Sequence, residues 1–331
     1  MRSGFVMTDS LRVAFIGDRD YANCAHRAAQ AINTAAGFAA ARVVVAQRHQ
    51  FGYPTDICVE DIGRDAARGA LVEHMRGGDP AWVFTTGTGS AGRWAEWGAR
   101  AALPSGAKMR LGALHIGSAY RKDPESFNEA DRARGVSLRF ISADSMRFSD
   151  SDHDHPYAHS ISSIPRPTIE APEIPVVVHS PSVRHKKGSD EIESVLADLK
   201  ASGLLFESMI VEGVSYEECL GRRGRGHILI GQLNLEVGGF GYSSVEAAAQ
   251  GLAPMATINN IAPDMWADAG LPRPPVIGIT SEEDLSLKLR ALIENPALLQ
   301  EARARCVEWT HDGAVSPERA GAYYIKRLME H

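Results

Sequence analysis

The residues with the clearest capacity for chemistry lie in the stretch Gly238-Gly-Phe-Gly-Tyr-Ser-Ser-Val-Glu246, which follows a predicted strand and opens a predicted helix. Gly239 and Gly241 let backbone N–H groups approach a ligand closely, and Ser243 or Ser244 can cap the helix. Because a helix N-terminus favours anions, the stretch predicts a site for a diphosphate. The alternative is an ordinary glycine-rich turn between a strand and a helix, since short glycine motifs are weak signals.

Glu246 falls in the first turns of the same predicted helix. A carboxylate in this position can accept hydrogen bonds from two neighbouring ribose hydroxyls, as acidic residues do in dinucleotide-binding folds. We therefore predict that Glu246 binds a ribose and that Phe240, Tyr242 and Ser243 line the same ligand.

A second set of candidate residues follows an earlier predicted strand, in His179-Ser-Pro-Ser-Val-Arg184-His-Lys-Lys187-Gly188. Arg184 offers a planar fork for a phosphate and Lys187 a point charge. Cations at the carboxyl end of a strand suit a diphosphate leaving group, with Gly188 beside them at a helix start. The alternative is a solvated basic loop, which is how charge runs usually behave. A further basic run, Gly221-Arg-Arg-Gly-Arg-Gly226, is predicted to be a surface turn.

Two α/β domains are needed to position these residues. Short apolar runs alternate with amphipathic segments, which indicates doubly wound parallel sheets with helices on both faces. The predicted strands include 11–16, Met109–His115, Val176–His179, 228–230 and Ala253–Thr257. A stretch rich in proline and serine, 149–175, reads as a linker. We predict domains over 1–168 and 169–315, and the final helix, 316–331, could pack back on the first.

The composition is that of a soluble globular protein. The chain has 331 residues, a net charge of −6 and 4 cysteines, none of them in a C-x-x-C pair. These features predict reduced thiols and a cytoplasmic protein, and they weigh against broad nonspecific binding to nucleic acid. No apolar run reaches the length of a membrane span, and the first ten residues lack the pattern of a signal peptide.

The region 175–260 resembles the donor domain of family 4 glycosyltransferases. One branch of that family shows H-x-P-x-x-R-x-x-K-G-T, and this chain has His179-Ser-Pro-Ser-Val-Arg184-His-Lys-Lys187-Gly188-Ser189. The family continues with F/Y-G-x-x-x-x-E-A-x-A-x-G-x-P. Here the stretch from Phe240 to Pro254 matches it, with one extra residue before the proline. Gly238 stands where many members carry a glutamate, and Gly231-Gln232 replaces an Asp-Gln pair, so Gln232 is the remaining polar candidate there.

The resemblance extends to His115-Ile-Gly117-Ser118-Ala-Tyr-Arg121, which is similar to an H-x-G-S-x-x-R segment in the first domain of the same branch. It implies that His115 hydrogen-bonds a hydroxyl of the donor sugar, that Gly117 and Ser118 belong to the donor side, and that Arg121 faces the cleft between the domains. A partly buried histidine with satisfied nitrogens is the alternative.

The resemblance implies a GT-B fold, in which two Rossmann-like domains enclose a cleft, and retaining transfer of a sugar from a nucleoside diphosphate sugar. It implies no cofactor and no metal. In this interpretation Arg184, Lys187, Glu246 and His115 are the catalytic residues. A nucleotide-sugar 2-epimerase and a noncatalytic nucleotide-sugar-binding protein remain alternatives.

The acceptor and the oligomeric state stay open. Asp20 and Tyr21 follow the first strand and are weak candidates for the acceptor side, with a solvated turn as the alternative. A glycan, a small molecule, a protein and a modified base in DNA all remain possible acceptors. The run Asp152-His-Asp-His155 with His159 has metal-ligand residue types, but we predict no metal there, because no strand or helix is predicted to fix its geometry.

Overall fold

A computed structural model describes residues 9–86, 109–142, 154–156, 161, 164–234, 241–258, 273–313 and 315–331. The chain divides into two compact units. The first unit comprises Met1–Ser162 with Pro317–His331, and the second comprises Ser163–Ser316.

The first unit contains a sheet of seven parallel strands in the order β3-β2-β1-β4-β5-β6-β7. Its strands are β1 (Arg12–Gly17), β2 (Ala41–Val45), β3 (Ile57–Cys58), β4 (Ala81–Thr86), β5 (Met109–His115), β6 (Leu138–Ile141) and β7 (Asp154–Pro156). Its described helices are α1 (Cys24–Ala36), α2 (Val59–Ile62), α3 (Arg64–Met75), α4 (Gly117–Lys122), α5 (Pro124–Arg134) and α12 (Pro317–Glu330).

The last helix of the chain belongs to the first unit, where α12 packs against α1. Gly321 permits this contact, because a methyl group there would overlap the backbone carbonyl of Ala31. The indole Nε1–H of Trp82 in β4 donates to the carbonyl of Leu328, at 3.1 Å. The helix is thus fixed both by close backbone packing and by a buried hydrogen bond to the sheet.

The second unit contains a sheet of five parallel strands in the order β12-β11-β10-β8-β9. Its strands are β8 (Val176–His179), β9 (Glu207–Ile210), β10 (Ile228–Gln232), β11 (Ala253–Thr257) and β12 (Ile277–Ile279). Its described helices are α6 (Arg184–Lys187), α7 (Ser189–Ala201), α8 (Tyr216–Arg223), α9 (Tyr242–Ala249), α10 (Glu282–Glu294) and α11 (Pro296–Val307). One core packs the apolar faces of α7 and α10 against the sheet, with Ile192, Leu289, Ile230 and Met255 fully buried.

Each sheet has one point where the chain reverses its direction of growth. In the first sheet β2 and β3 lie on one side of β1 and β4 on the other. In the second sheet β9 lies on one side of β8 and β10 on the other. Open parallel sheets bind ligands outside the carboxyl ends of the strands at such reversal points. The fold therefore directs attention to the loops that follow β1, β4, β8 and β10.

The predicted α/β class with two parallel sheets is confirmed. The predicted linker over 149–175 is wrong in part, because β7 (Asp154–Pro156) pairs with Arg139–Ile141 and extends the first sheet. Three residues containing a proline give too short a pattern to predict a strand, and neighbouring β6 supplies the pairing that makes one.

Candidate functional site

The loop after β8 is fastened to the end of β10, at the reversal point of the second sheet. The N–H of Leu233 donates to the carbonyl of Lys187 at 2.9 Å, and the Asn234 side chain donates to the carbonyl of Lys186 at 3.1 Å. Gly188 has a φ of +64°, and a methyl group on it would overlap the Leu233 carbonyl. The predicted glycine is required both by its left-handed conformation and by the close approach of two backbones.

Lys187, Gln232 and Gly241, three predicted donor-side residues, are brought together at this junction. The Lys187 ammonium donates to Gln232 Oε1 at 3.1 Å. The same nitrogen lies 3.7 Å from the position that a Cβ would occupy on Gly241, the residue before α9. A cation thus stands beside the start of a helix, where the N–H groups of the first turn carry partial positive charge. The arrangement suits an anionic ligand.

The serines do not cap α9 as the sequence predicted. Gly241 is the N-cap, and it provides no side-chain cap for the helix. Ser244 is buried instead, and its hydroxyl has no hydrogen-bond partner among the described residues. Because Gly241 has no side-chain oxygen, it leaves the N–H groups of the first turn of α9 to bind backbone atoms or a ligand.

Arg184 lies among carboxylates. Its guanidinium forms ion pairs with Asp190 at 2.7 Å, Glu193 at 2.6 Å and Glu212 at 3.2 Å. Hydrogen bonds to these three carboxylates raise the pKa of Arg184 above its ordinary value. The structure therefore separates the two predicted cations, since Lys187 points to Gln232 and α9 while Arg184 is neutralised by acidic neighbours.

Glu246 is buried and bound on both oxygens. The Tyr216 hydroxyl donates to Oε1 at 2.6 Å, and Arg223 donates to Oε2 at 2.7 Å. Arg223 is itself 2% exposed and also donates to Gln250 Oε1 at 2.9 Å. The predicted surface turn over 221–226 is wrong for this arginine, which ends α8 and enters the core. Nothing in the local sequence distinguishes it from its exposed neighbour Arg222, because the acidic partner lies 23 residues later.

His179, which begins the second motif, has a structural place. Its Nδ1 lies 2.7 Å from the carbonyl of Ile230, and its Nε2 lies 2.8 Å from the hydroxyl of Ser189. The side chain is fully buried, and burial lowers its pKa. The imidazole therefore joins β8, β10 and the start of α7, which holds the loop that carries Lys187.

In the first unit, His115 ends β5 and is also buried. Its Nε2 lies 2.6 Å from Oδ2 of the Asp131 carboxylate, and its ring stacks on Tyr120 with centroids 4.5 Å apart. Phe127 contacts the ring edge-on. Asp131, on α5, was not predicted as a functional residue, because its position 16 residues after the histidine shows no local pattern.

Asp20 closes the N-terminus of α1. Its carboxylate oxygens accept from the backbone N–H groups of Ala25 at 3.0 Å and His26 at 2.9 Å. Burial raises the pKa of Asp20 to about 6, although these N–H groups oppose the shift. Tyr21 is 48% exposed, and its ring packs edge-on against His49. At the N-terminus of α1, the Asp20 carboxylate occupies the position that a ligand anion could otherwise take. A role of Asp20 or Tyr21 in binding the acceptor stays a prediction.

Other predicted donor-side residues are described in part. Gly117 and Ser118 lie in the first turn of α4, where only the backbone is described, and Arg121 is half-buried on the same helix. Tyr242 is 7% exposed at the start of α9, and Ser243 is half-buried next to it.

Some predictions fall outside the described residues, namely those on Gly239, Phe240, Asp152, His153 and His159. Within the described residues, no three side chains of histidine, cysteine, aspartate and glutamate gather as metal ligands do. No described helix combines the length and the apolar character required to cross a membrane.

Comparison with known proteins gives likeness in structure. No family model matches the chain, and no curated protein matches it in sequence. Several solved structures match it in fold. An alpha-glucosyltransferase in complex with UDP and a 13-mer DNA containing a central A:G mismatch aligns with a TM-score of 0.61 and 11% identity, covering 96% of this chain and 98% of its own.

A protein of Listeria monocytogenes assigned as a UDP-N-acetylglucosamine 2-epimerase aligns with a TM-score of 0.52 and 12% identity, covering 97% of this chain and 96% of its own. At such low identity the likenesses establish the fold alone. The chain has the GT-B fold, with two α/β domains each built on an open parallel sheet.

Proposed function

We propose that this protein transfers a sugar from a nucleoside diphosphate sugar to an acceptor, and that Lys187 and the start of α9 receive the diphosphate. The observation that carries the proposal is the convergence of the Lys187 ammonium, Gln232 and Gly241 at the reversal point of the second sheet. The sequence resemblance extends the proposal to retention of anomeric configuration, to catalysis without a metal and to a cytoplasmic location.

Departure of a nucleoside diphosphate is the step that these groups would assist. As the bond from the anomeric carbon to the diphosphate oxygen breaks and the bond to the acceptor forms, negative charge develops on the diphosphate, and preorganised cations and N–H groups stabilise it. An ammonium has three N–H donors. One of them is directed to Gln232 Oε1, and the proposal assigns another to a phosphate oxygen.

Arg184 and Glu246 are already engaged by protein groups, which a donor would have to share or displace. Arg184 is paired with three carboxylates that compete with a phosphate. Ribose hydroxyls would share the Glu246 carboxylate with the Tyr216 hydroxyl on Oε1 and with Arg223 on Oε2. Lys187 is thus the residue on which the proposal depends most.

The first experiment is a thermal-shift screen with UDP, GDP, ADP and dTDP. A nucleotide present at 100 times its dissociation constant adds roughly 2.7 kcal/mol of stability, a shift that is easily measured. Failure of all four to stabilise the protein would count against the proposal.

Lys187→Met then tests the site. Loss of a charge-assisted contact to the leaving group should cost about 2–4 kcal/mol of transition-state stabilisation, seen in kcat/KM. Lys186→Met is the matched control, because Lys186 is adjacent and exposed. Equal activity in the two variants would show that Lys187 is not the residue that binds the diphosphate.

The same assays distinguish a glycosyltransferase from the two alternative functions. A nucleotide-sugar 2-epimerase converts the donor with no acceptor present, so incubation with donor alone followed by analysis of the sugar would reveal it. A noncatalytic binding protein would be stabilised by nucleotide but would neither transfer nor epimerise the sugar. The fold does not decide between them, because solved structures of similar fold include one assigned as a transferase and one assigned as an epimerase.

A further inference from the structure

A buried pair formed by His115 and Asp131 lies at the carboxyl end of β5 in the first unit. The two side chains are joined by a contact of 2.6 Å between Nε2 and Oδ2, and they are 4% and 2% exposed. An ionised carboxylate only accepts hydrogen bonds, so the proton of this contact sits on Nε2 of the imidazole.

The charge of Asp131 is already balanced. Arg134, one turn later on α5, donates to the other carboxylate oxygen at 2.5 Å. A protonated imidazole would therefore place a second cation on a single buried carboxylate. A neutral imidazole with its proton on Nε2 avoids this excess charge.

The ring is also fixed on its faces. Tyr120 stacks on it with an interplanar angle of 13°, and Phe127 meets it at 86°. The Tyr120 hydroxyl donates to Asn128 at 3.0 Å, and Arg139 donates to the same oxygen at 2.8 Å. The stacking partner is thus held by its own buried hydrogen bonds, which leaves the imidazole little freedom to rotate.

One polar atom of the pair has no partner. His115 Nδ1 is buried and makes no hydrogen bond to any described residue. If the proton is on Nε2, this atom carries a lone pair. Native proteins rarely leave such an acceptor unsatisfied, and a ligand group is one of the recognised explanations.

We propose that Asp131 is a positioning residue, which holds His115 as the neutral tautomer protonated on Nε2 so that Nδ1 accepts a hydrogen bond from a hydroxyl of the bound sugar. The identification of the ligand as a sugar rests on the proposed function, whereas the assignment of the tautomer does not. Histidine tautomers are set by the partner of the other nitrogen, which is the role that Asp131 performs here.

The test uses the full-length protein with ¹⁵N-labelled histidine and no ligand. The nitrogen spectrum of the wild type should show His115 Nε2 protonated and Nδ1 unprotonated, and Asp131→Asn should reverse or average the two. Asp123→Asn is the matched control, because Asp123 is an exposed carboxylate that caps the same helix. It should leave the His115 signals unchanged.

A wild-type spectrum with Nδ1 protonated, or an Asp131→Asn spectrum equal to that of the wild type, would overturn the proposal. The wild-type measurement decides even if the variant fails to fold, and neither measurement needs a sugar donor. A failed nucleotide screen would therefore reject the proposed function and leave this result standing.

With a donor in hand, Asp131→Asn should lower kcat/KM about ten-fold, the effect of one lost hydrogen bond. The dissociation constant for the free nucleoside diphosphate should stay within about two-fold, because Asp131 acts on the sugar and not on the nucleotide. If kcat/KM and the affinity for the free nucleoside diphosphate fell by the same factor, the role of Asp131 would be merely structural, which would contradict the proposal.

Discussion

Replacing Arg223 by methionine should strongly destabilise the second unit. Arg223 and Glu246 are 2% and 5% exposed and are joined at 2.7 Å. Removing the cation leaves a buried carboxylate beside the Tyr216 hydroxyl, which is a neutral donor. Breaking a buried ion pair in this way costs about 3–5 kcal/mol, since the remaining charge has lost its compensation.

The measurement is urea unfolding of the full-length protein, with hydrogen exchange read on peptides of the second unit. Separate reading is needed because two domains need not unfold together. With an m-value of about 2 kcal/mol/M, the expected loss lowers the midpoint by roughly 1.5–2.5 M. Peptides of the first unit should keep their midpoint.

The preceding residue supplies the control. Arg222 pairs with Glu218 on the surface of the same helix, both side chains being 47% exposed. Arg222→Met should therefore cost about 0–1 kcal/mol. Replacing both members of the buried pair, in Arg223→Met/Glu246→Leu, should recover much of the loss, because apolar replacements of buried pairs are often neutral. Equal midpoints for the two single variants would refute the reasoning.

Two further predictions concern Gly188 and Asp20. Gly188→Ala should cost about 1–3 kcal/mol more than Gly213→Ala, because both glycines have positive φ but only Gly188 meets a backbone carbonyl; equal midpoints in urea would contradict this. Folding raises the pKa of Asp20 from 3.8 to about 6, so the folded protein binds a proton more tightly than the unfolded chain. Protonated Asp20 therefore adds roughly 3 kcal/mol to the free energy of unfolding below about pH 4, and this contribution is lost as the pH rises through 6. Asp20→Asn should remove that dependence from the unfolding free energy of the first unit, and an unchanged pH profile would refute the assignment.

The sequence determined the class of the fold and several strands at their observed bounds. Met109–His115, Val176–His179 and Ala253–Thr257 were predicted as they occur. Strands buried within parallel sheets are continuous apolar runs, and that signal is local. β3 (Ile57–Cys58) was not predicted, because a strand of two residues is too short to show a pattern of apolar residues. α8 (Tyr216–Arg223) was not predicted, because its sequence is mainly polar.

The sequence also located the loops that carry the candidate site. Lys187, Gly188, Gln232 and Gly241 follow strands or open helices, and in parallel sheets those positions gather at one edge. Their convergence at the junction of β8 and β10 agrees with that expectation.

Only the tertiary structure decided which partner each charged group has. Arg184 meets carboxylates from α7 and the loop after β9, Glu246 meets Arg223, and His115 meets Asp131. These partners are separated along the chain, and side-chain ion pairs depend on angstrom-scale geometry that local patterns do not encode. Local sequence therefore fixed where the polar groups lie along the sheet edge, while packing decided which of them remain directed toward a ligand.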